Sequence, residues 1–449
     1  MPTVSLTNMH IAQDIMLKMK SSLKIGITSI VYNSHLNTVL AIGQELKTRG
    51  HQVIYYGFFD AKERVLGAGL EFCGIAEVEH PLGTNDKFQQ QVSQMIGYDA
   101  NKFSIKFVEN QLSLYLSYLP NILKSASLDG FICDQTLLGL SSITEYLKIP
   151  TVQLCCTLAV IYTEFLFRPS PVSPFQDYSL NPLKQIINII FTQVKCSFLF
   201  KNWRKLVNRF RKAHQLPLIW TALGLFQGKY LATIAQLIPE LDFPTYFLPR
   251  NFYYCGSFSK NISELNIYFP YEKLSSKPLI YACLGTSQNG NWEVFKLIDN
   301  ACASLDVQLV LSFGKKGELS NFPIDQLSSN TIAVDYAPQK RLIEKSILVI
   351  HHAGLNSTIE SLQAGKPMIC IPNCFDQPEV AARMKRVGVA EVVPIQKLTV
   401  KRLQDAIIKV LNNNKYQQNA SIFQDKLCQT GGVSRGADII ETVIKYGSL

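Results

Sequence analysis

Short apolar runs alternate with helix-period segments twice along this chain, and that alternation constrains the fold more tightly than any single residue. The first round opens with "LKIGITSIVY". It continues with "NTVLAIGQELKTRG", in which Val39, Ile42 and Leu46 recur at helical spacing before Gly50, and returns to "HQVIYYGFF". Strand, helix and strand in that order make a β-α-β unit. "LDGFICD" and "PTVQLCCTL" add buried strands on either side of the helical "LLGLSSITEYL", so the first half is predicted to be an open, doubly wound parallel sheet. From about Pro278 the pattern restarts with "PLIYACLG", "WEVFKLIDNACASL", "VQLVLSFG", "TIAVDY", "ILVIHH" and "PMICIP", which predicts a second Rossmann-like α/β sheet.

A chain of 449 residues is too long for one ordinary core and suits two domains of about 200 residues each. A first Rossmann-like domain is expected at 1–250 and an interdomain linker at 251–275, where turn formers and aromatics replace periodicity. The second domain is expected at 276–449, with a C-terminal helix free to pack back on the first. The N-terminal "MPTVSLTNMHIAQDIMLKMKSS" lacks a secretory apolar core and reads as an extra helix or a loose tail. No apolar run reaches the roughly 18 to 20 residues that span a bilayer, and eleven scattered cysteines without a C-x-x-C pair fit reduced thiols. A cytoplasmic protein, soluble or peripheral at a membrane, is expected.

The formal charge, 44 − 34 = +10, admits nucleic acid, an anionic membrane or an acidic ligand. No base-reading helix or RNA-binding signature is present, so nucleic acid is not an expected partner. Residues 184–212 mix Phe198, Phe200 and Trp203 with Lys195, Arg204, Lys205, Arg209, Arg211 and Lys212. Amphipathic helices with a solvated basic face would explain them; so would a surface that touches lipid or admits a greasy acceptor.

The densest chemistry lies in "HHAGLNSTIESLQAGKPMICIPNCFDQPEVAARM", His351 to Met384. A strand ends, a turn follows and a helix begins, and such a terminus offers unpaired N–H groups and a favourable dipole to phosphate oxygens. Asn356 and Ser357 can add donors, His352 stands at the strand end, and Gly354 lets backbone approach closely. Ser357-x-x-Glu360 fits a capping box, while the Glu360 carboxylate could instead accept both hydroxyls of a ribose. After the next strand, Asp376 and Gln377 arrive at its carboxyl end, where open α/β sheets bind ligands.

With "VDYAPQKRLIEKS" before it, this segment closely resembles the donor-binding signature of the family 1 UDP-sugar-dependent glycosyltransferases. That resemblance implies a GT-B fold, two Rossmann-like domains facing across a cleft. It also implies an inverting hexosyltransferase that moves a hexose, glucose by the Asp376-Gln377 pair, from a UDP-sugar. Tyr336 and Ala337 would flank the base, and Gln339 and Glu360 would hold the ribose. His352, Asn356 and Ser357 would hold the phosphates, and Asp376 and Gln377 the sugar hydroxyls. "LGTSQNG" resembles the family's second phosphate loop, which assigns Thr286 a hydroxyl contact. Plant members usually carry Trp where this chain has Tyr336.

The pattern "HLNTVLAIGQELKTRGH" resembles the family's catalytic loop, with Ser34 and Thr38 where Gly and Pro are usual. His35 would be the base, since an imidazole titrates near neutrality, and Asp134 at the end of "LDGFICD" would orient it. No cofactor and no metal are expected, because no Asp-x-Asp pair stands ready to hold a cation on the diphosphate. The partners implied are a nucleotide sugar and a lipophilic small-molecule acceptor, by looser similarity to bacterial carotenoid glucosyltransferases. A non-catalytic sugar-nucleotide-binding partner protein and a GT-B epimerase are the alternatives. An NAD enzyme would need a G-x-G-x-x-G that "TSIVYNSH" lacks.

Overall fold

The computed structural model describes residues 21–160, 182–244, 248–258, 267–286, 290–314, 319 and 322–449. The N-terminal tail up to residue 20, residues 161–181 and the middle of the expected linker lie outside them. The first lobe is built on strands β1 (Lys24–Thr28), β2 (Gln52–Gly57), β3 (Glu71–Gly74), β4 (Gly130–Asp134), β5 (Thr151–Cys155), β6 (Ala232–Ala235) and β7 (Phe252–Tyr254). They pair in the order β3-β2-β1-β4-β5-β6-β7, every neighbour parallel. The second lobe has β8 (Leu279–Cys283), β9 (Gln308–Ser312), β10 (Thr331–Val334), β11 (Ser346–His351), β12 (Met368–Cys370) and β13 (Ala390–Val392), in the order β10-β9-β8-β11-β12-β13, again all parallel. These are the two Rossmann-like sheets expected from the sequence.

Parallel strands covered by helices on both faces read as continuous apolar runs. β1, β4, β5 and β8 do so, and Ile25, Ile27, Ile132, Val152 and Ile280 are all buried. The helices that matter for the site are α1 (Asn33–Thr48), α2 (Gly97–Ala126), α3 (Pro182–Leu199), α4 (Lys201–Ala213), α5 (Gln339–Lys345), α6 (Leu355–Gln363), α7 (Gln377–Arg386) and α8 (Gly432–Tyr446). The α2 pattern escaped the sequence reading, although Val108, Leu112, Tyr115, Leu119 and Leu123 form its buried stripe and Pro120 lies within it.

One expectation about the lobes needs adjustment. β7 pairs with β6 through Thr233–Phe252 and Ala235–Tyr254, so the first sheet runs into the stretch expected to be linker. An aromatic triplet among turn formers gave too short an apolar run to be recognised as a strand. The stretch after Pro182 forms α3 and α4, the amphipathic helices that its spacing suggested. At the other end, α8 leaves the second lobe and buries Val433, Ala437, Ile440, Val443 and Ile444 in the first lobe's core, beside Ile42 of α1. Arg49 Nη1 to Asp438 (2.7 Å) and His51 Nε2 to Glu441 (2.9 Å) tie the same surfaces together.

Candidate active site

Strand order reverses between β1 and β4 in one sheet and between β8 and β11 in the other. Adjacent loops diverge to opposite faces at such a switch point, leaving a crevice at the carboxyl ends of the strands. His35 follows β1 and Asp134 ends β4; Thr286 follows β8 and His352 follows β11. A cavity of about 640 Å³ lies between the lobes and is lined by all four loops.

On the first lobe, His35 Nδ1 lies 2.7 Å from Asp134 Oδ2, with His35 4% exposed and Asp134 fully buried. The other carboxylate oxygen, Oδ1, accepts the Thr136 backbone N–H at 2.9 Å. Each carboxylate oxygen of Asp134 thus has a partner, and the imidazole is held from one side. The edge of Tyr32 closes another side, its ring centroid 5.8 Å from that of His35, and Tyr32 itself stacks on Phe88. The Cys156 thiol shares this corner, so ligand-type atoms of His35, Asp134 and Cys156 lie within 4.8 Å of one another. Burial, reinforced by the Asp134 charge, drives that thiol well above its ordinary range, which makes it a hydrogen-bond donor at neutral pH rather than a thiolate ligand.

On the second lobe, α6 starts at Leu355 with Gly354 at its cap, and no side chain caps it. The expected Ser357–Glu360 capping box is therefore not formed: Ser357 already sits inside the first turn, too late to act as the cap. The Glu360 carboxylate turns to α5, where Gln339 Nε2 donates to Glu360 Oε2 at 2.6 Å and reaches the Ser357 hydroxyl at 3.4 Å. Gln339 Oε1 in turn accepts from the Tyr281 hydroxyl at 3.2 Å. A carboxylate fixed by an amide, beside an uncapped helix start, is suited to accept hydroxyls next to phosphates.

His352 is placed by two glycines. A Cβ on Gly354 would come within 2.5 Å of its Nε2, and one on Gly285 within 2.6 Å of its Cε1. The role expected for Gly354, close approach of backbone to phosphate, is thus first a matter of room for this ring. Gly285 has φ +73° and Ala353, between His352 and Gly354, has φ +64°, so the loop bends through the left-handed region. Burial pushes the His352 imidazole down to about 4, leaving it neutral with one N–H to donate. Its Nδ1 is buried and has no hydrogen-bond partner. The neighbouring His351 is wholly buried, accepts the Ala353 N–H at Nδ1 (2.9 Å) and is held down to about 3 by burial and then by His352.

Asp376 stands at the N-cap position of α7 and Gln377 opens the helix, after a loop bent at Phe375, φ +57°. Gln377 Oε1 accepts the N–H groups of Asn373 (2.9 Å) and Cys374 (3.2 Å), which leaves its amide nitrogen for the cavity that it lines. Asp376 Oδ2 accepts the Leu158 N–H of the first lobe at 3.2 Å. Burial pushes its carboxyl above the usual range, against the lowering influence of that N–H and of His35. Two turns on, Arg383 donates to Asp242 at 2.8 Å from a buried position and stacks over Phe243, its guanidinium carbon 4.3 Å from the ring centre.

Most of the expected residues meet here: His35, Thr286, Gln339, His352, Gly354, Asn356, Ser357, Glu360, Asp376 and Gln377 line the cavity, with Asp134 behind His35. Tyr336 and Ala337 do not. Ala337 packs into the second lobe's core, and Tyr336 stands 42% exposed off the cavity wall, within the field of Arg64. Asn356, which lines the cavity, also joins the lobes: it donates to the Ser34 carbonyl (3.2 Å) and accepts from Gln236 (2.9 Å). Gln236, at the end of β6, was invisible in the sequence because no motif surrounds it. The same holds for Arg383, which reads as an ordinary helix-end cation.

Residues 78–427 match the family model described as UDP-glucoronosyl and UDP-glucosyl transferase. The chain belongs to that family. Among the transferase's relatives is a zeaxanthin glucosyltransferase of Pantoea ananas, 27% identical, with the match covering 93% of this chain and 95% of the relative. The fold matches solved structures of the glycotransferase of kitacinnamycin (TM-score 0.74, 18% identity, 95% of this chain and 100% of the other) and of the calicheamicin glycosyltransferase CalG4 (TM-score 0.69, 16% identity, 95% and 99%). As a member of this family the protein uses a nucleotide sugar and an acceptor.

Proposed function

We propose that this transferase moves a hexose, glucose in the first instance, from a UDP-sugar to a hydroxyl of a lipophilic small molecule, with inversion and with His35 as base. The observation that carries the proposal is the buried His35–Asp134 pair opening onto a cavity whose far wall holds His352, the α6 terminus and Asp376-Gln377. With Asp134 at Nδ1, the His35 Nε2 is the atom that takes the acceptor's proton. The acceptor oxygen then forms the new bond to the anomeric carbon as the bond from that carbon to the diphosphate breaks. The departing charge meets the His352 N–H and the unbonded N–H groups at the start of α6. Glu360, steadied by Gln339, is placed to receive the ribose hydroxyls, and Asp376 and Gln377 the hexose. This chemistry calls for no divalent cation.

The first-lobe side of the cavity supports a lipophilic acceptor. Ile30, Ile105, Val108, Leu138, Phe226 and Trp203 line it, and the relative from Pantoea is named for zeaxanthin. The test is release of nucleoside diphosphate with and without a panel of lipophilic and phenolic alcohols, with EDTA present, for the wild type and His35→Ala. Acceptor-dependent release that falls by about 10² to 10⁴ in the variant, while nucleotide binding persists, is the expected result. Unchanged turnover in His35→Ala overturns the assigned base. Tight nucleotide binding without turnover on any acceptor makes the protein a non-catalytic partner.

A further inference from the structure

Helix α3 meets the cavity at its C-terminal end and carries an apolar stripe on its outer side. One side forms cavity wall: Lys195, Cys196 and Leu199 line it, and Cys196 is fully buried. The other side carries Ile186, Ile187, Ile190, Phe191, Val194 and Phe198 at i+3 and i+4 spacing, all exposed, Ile190 to 58% and Phe198 to 78%. A helix on a water-facing surface turns such a stripe inward, so an outward one marks a contact surface.

The stripe continues into α4 with its chemistry changed. Backbone hydrogen bonds run through the junction, from Phe200 N–H to the Cys196 carbonyl (2.9 Å) and from Arg204 N–H to the Phe200 carbonyl (2.9 Å). From Phe198 the same spacing leads to Lys201, Lys205, Arg209 and Lys212, all exposed, while Trp203, Val207 and Phe210 are buried on the opposite side. No Asp or Glu occurs between Asp177 and Glu240, whereas nine Lys and Arg do, of which Arg211 and Lys229 pair with Glu145 from outside the segment and the exposed α4 stripe does not include them. An apolar stripe that runs into an unopposed cationic one is complementary to a bilayer with anionic headgroups: hydrocarbon for the first, phosphates for the second. No helix among the described residues is long and apolar enough to cross a membrane, so contact would lie in the plane of the interface.

We propose that the α3–α4 face docks the enzyme on an anionic lipid bilayer and that α3, one helix thick, separates the bilayer from the acceptor side of the cavity. This rests on the lipophilic-acceptor reading, since an acceptor of that kind resides in the membrane. The experiment is co-sedimentation of the full chain with vesicles of phosphatidylcholine plus phosphatidylglycerol, and of phosphatidylcholine alone, at low and raised salt. It compares the wild type, Ile190→Glu with Phe198→Glu, and Lys201→Glu with Lys205→Glu. The wild type is expected to bind the anionic vesicles and to be released by salt.

Each basic residue near an anionic surface strengthens binding roughly fivefold, so reversing two should cost on the order of 25-fold or more. The apolar pair should cost at least about tenfold, as expected for withdrawing a large side chain from hydrocarbon. None of the four residues lines the cavity, so transfer to a water-soluble phenol without vesicles should stay unchanged in both variants. Sedimentation reads docking without turnover, and the soluble assay reads catalysis without membrane, so either reading can fail alone. Absence of binding to anionic vesicles at low salt overturns the docking proposal. So does an apolar-pair variant that still binds vesicles but changes from dimer to monomer by light scattering, because the stripe would then be a self-association surface.

Discussion

Replacing Asp134 by Asn tests the assigned base more sharply than deleting the base itself. In the wild type Asp134 Oδ1 accepts from the Thr136 backbone N–H and Oδ2 faces His35 Nδ1. An asparagine amide must keep its oxygen toward Thr136, because two donors cannot face each other, and its NH₂ then points at His35 Nδ1. The imidazole is forced to accept there and to carry its proton on Nε2, the atom that must be free to receive one. The carboxylate's charge is lost as well. Two unit charges at about 4 Å and an effective dielectric constant near 20 interact by roughly 4 kcal/mol, or about 10³ in rate for a base that becomes cationic in the transition state. Together the two effects predict that kcat falls by about 10³ to 10⁴ while the dissociation constant for UDP, measured by calorimetry, stays within about twofold. Asp134→Ala, which leaves the tautomer free, should be no slower than Asp134→Asn. A loss below tenfold, or an asparagine variant clearly faster than the alanine one, would refute the orientation argument.

Three further outcomes follow from the geometry. Gly354→Ala places a methyl group against His352 Nε2, so the KM for the donor should rise by about tenfold or more, the worth of one hydrogen bond to a charged group, with the melting temperature little changed; an unaltered KM would remove His352 from the phosphates. Arg383→Met removes the buried cation that balances the Asp242 carboxylate, whose bond from the Tyr254 hydroxyl remains, and should cost about 3 to 5 kcal/mol in urea unfolding, partly restored by adding Asp242→Asn. Burial keeps His351 neutral down to about pH 3 and His352 down to about pH 4, whereas both protonate near pH 6.5 when unfolded. Folded pKa values below the unfolded ones mean that the unfolded state takes up protons first, so urea midpoints should fall as pH drops from about 6.5 toward 4. The slope should weaken in His351→Leu, and a flat profile in the wild type over that window would contradict the assignment.

Much of the molecule was legible before folding was considered. β1, β2, β4, β5, β8, β9, β10 and β12 fall within the runs read as strands, and β11 starts one residue before its run, because strands buried on both faces are apolar without interruption. α6 and its glycine stop were legible for a similar local reason, the left-handed Gly365 closing a periodic run. What was misread shares one property: a local rule competed with a remote partner. Ser357 and Glu360 have capping-box spacing, but the Glu360 carboxylate bonds Gln339, which comes from another helix. Phe252 to Tyr254 looks like linker until β6 supplies a ladder.

By itself the sequence determined two parallel α/β sheets and which residue types stand at the ends of which strands, since helical and strand periods and motif spacings belong to contiguous chain. The tertiary structure decided which of those residues act together. It paired His35 with Asp134 across 99 residues, sealed His352 between Gly285 and Gly354, and left an apolar face of α3 bare beside the cavity. Hydrogen-bond partners, burial and the protonation that follows from burial depend on which remote surfaces meet, and only packing settles that.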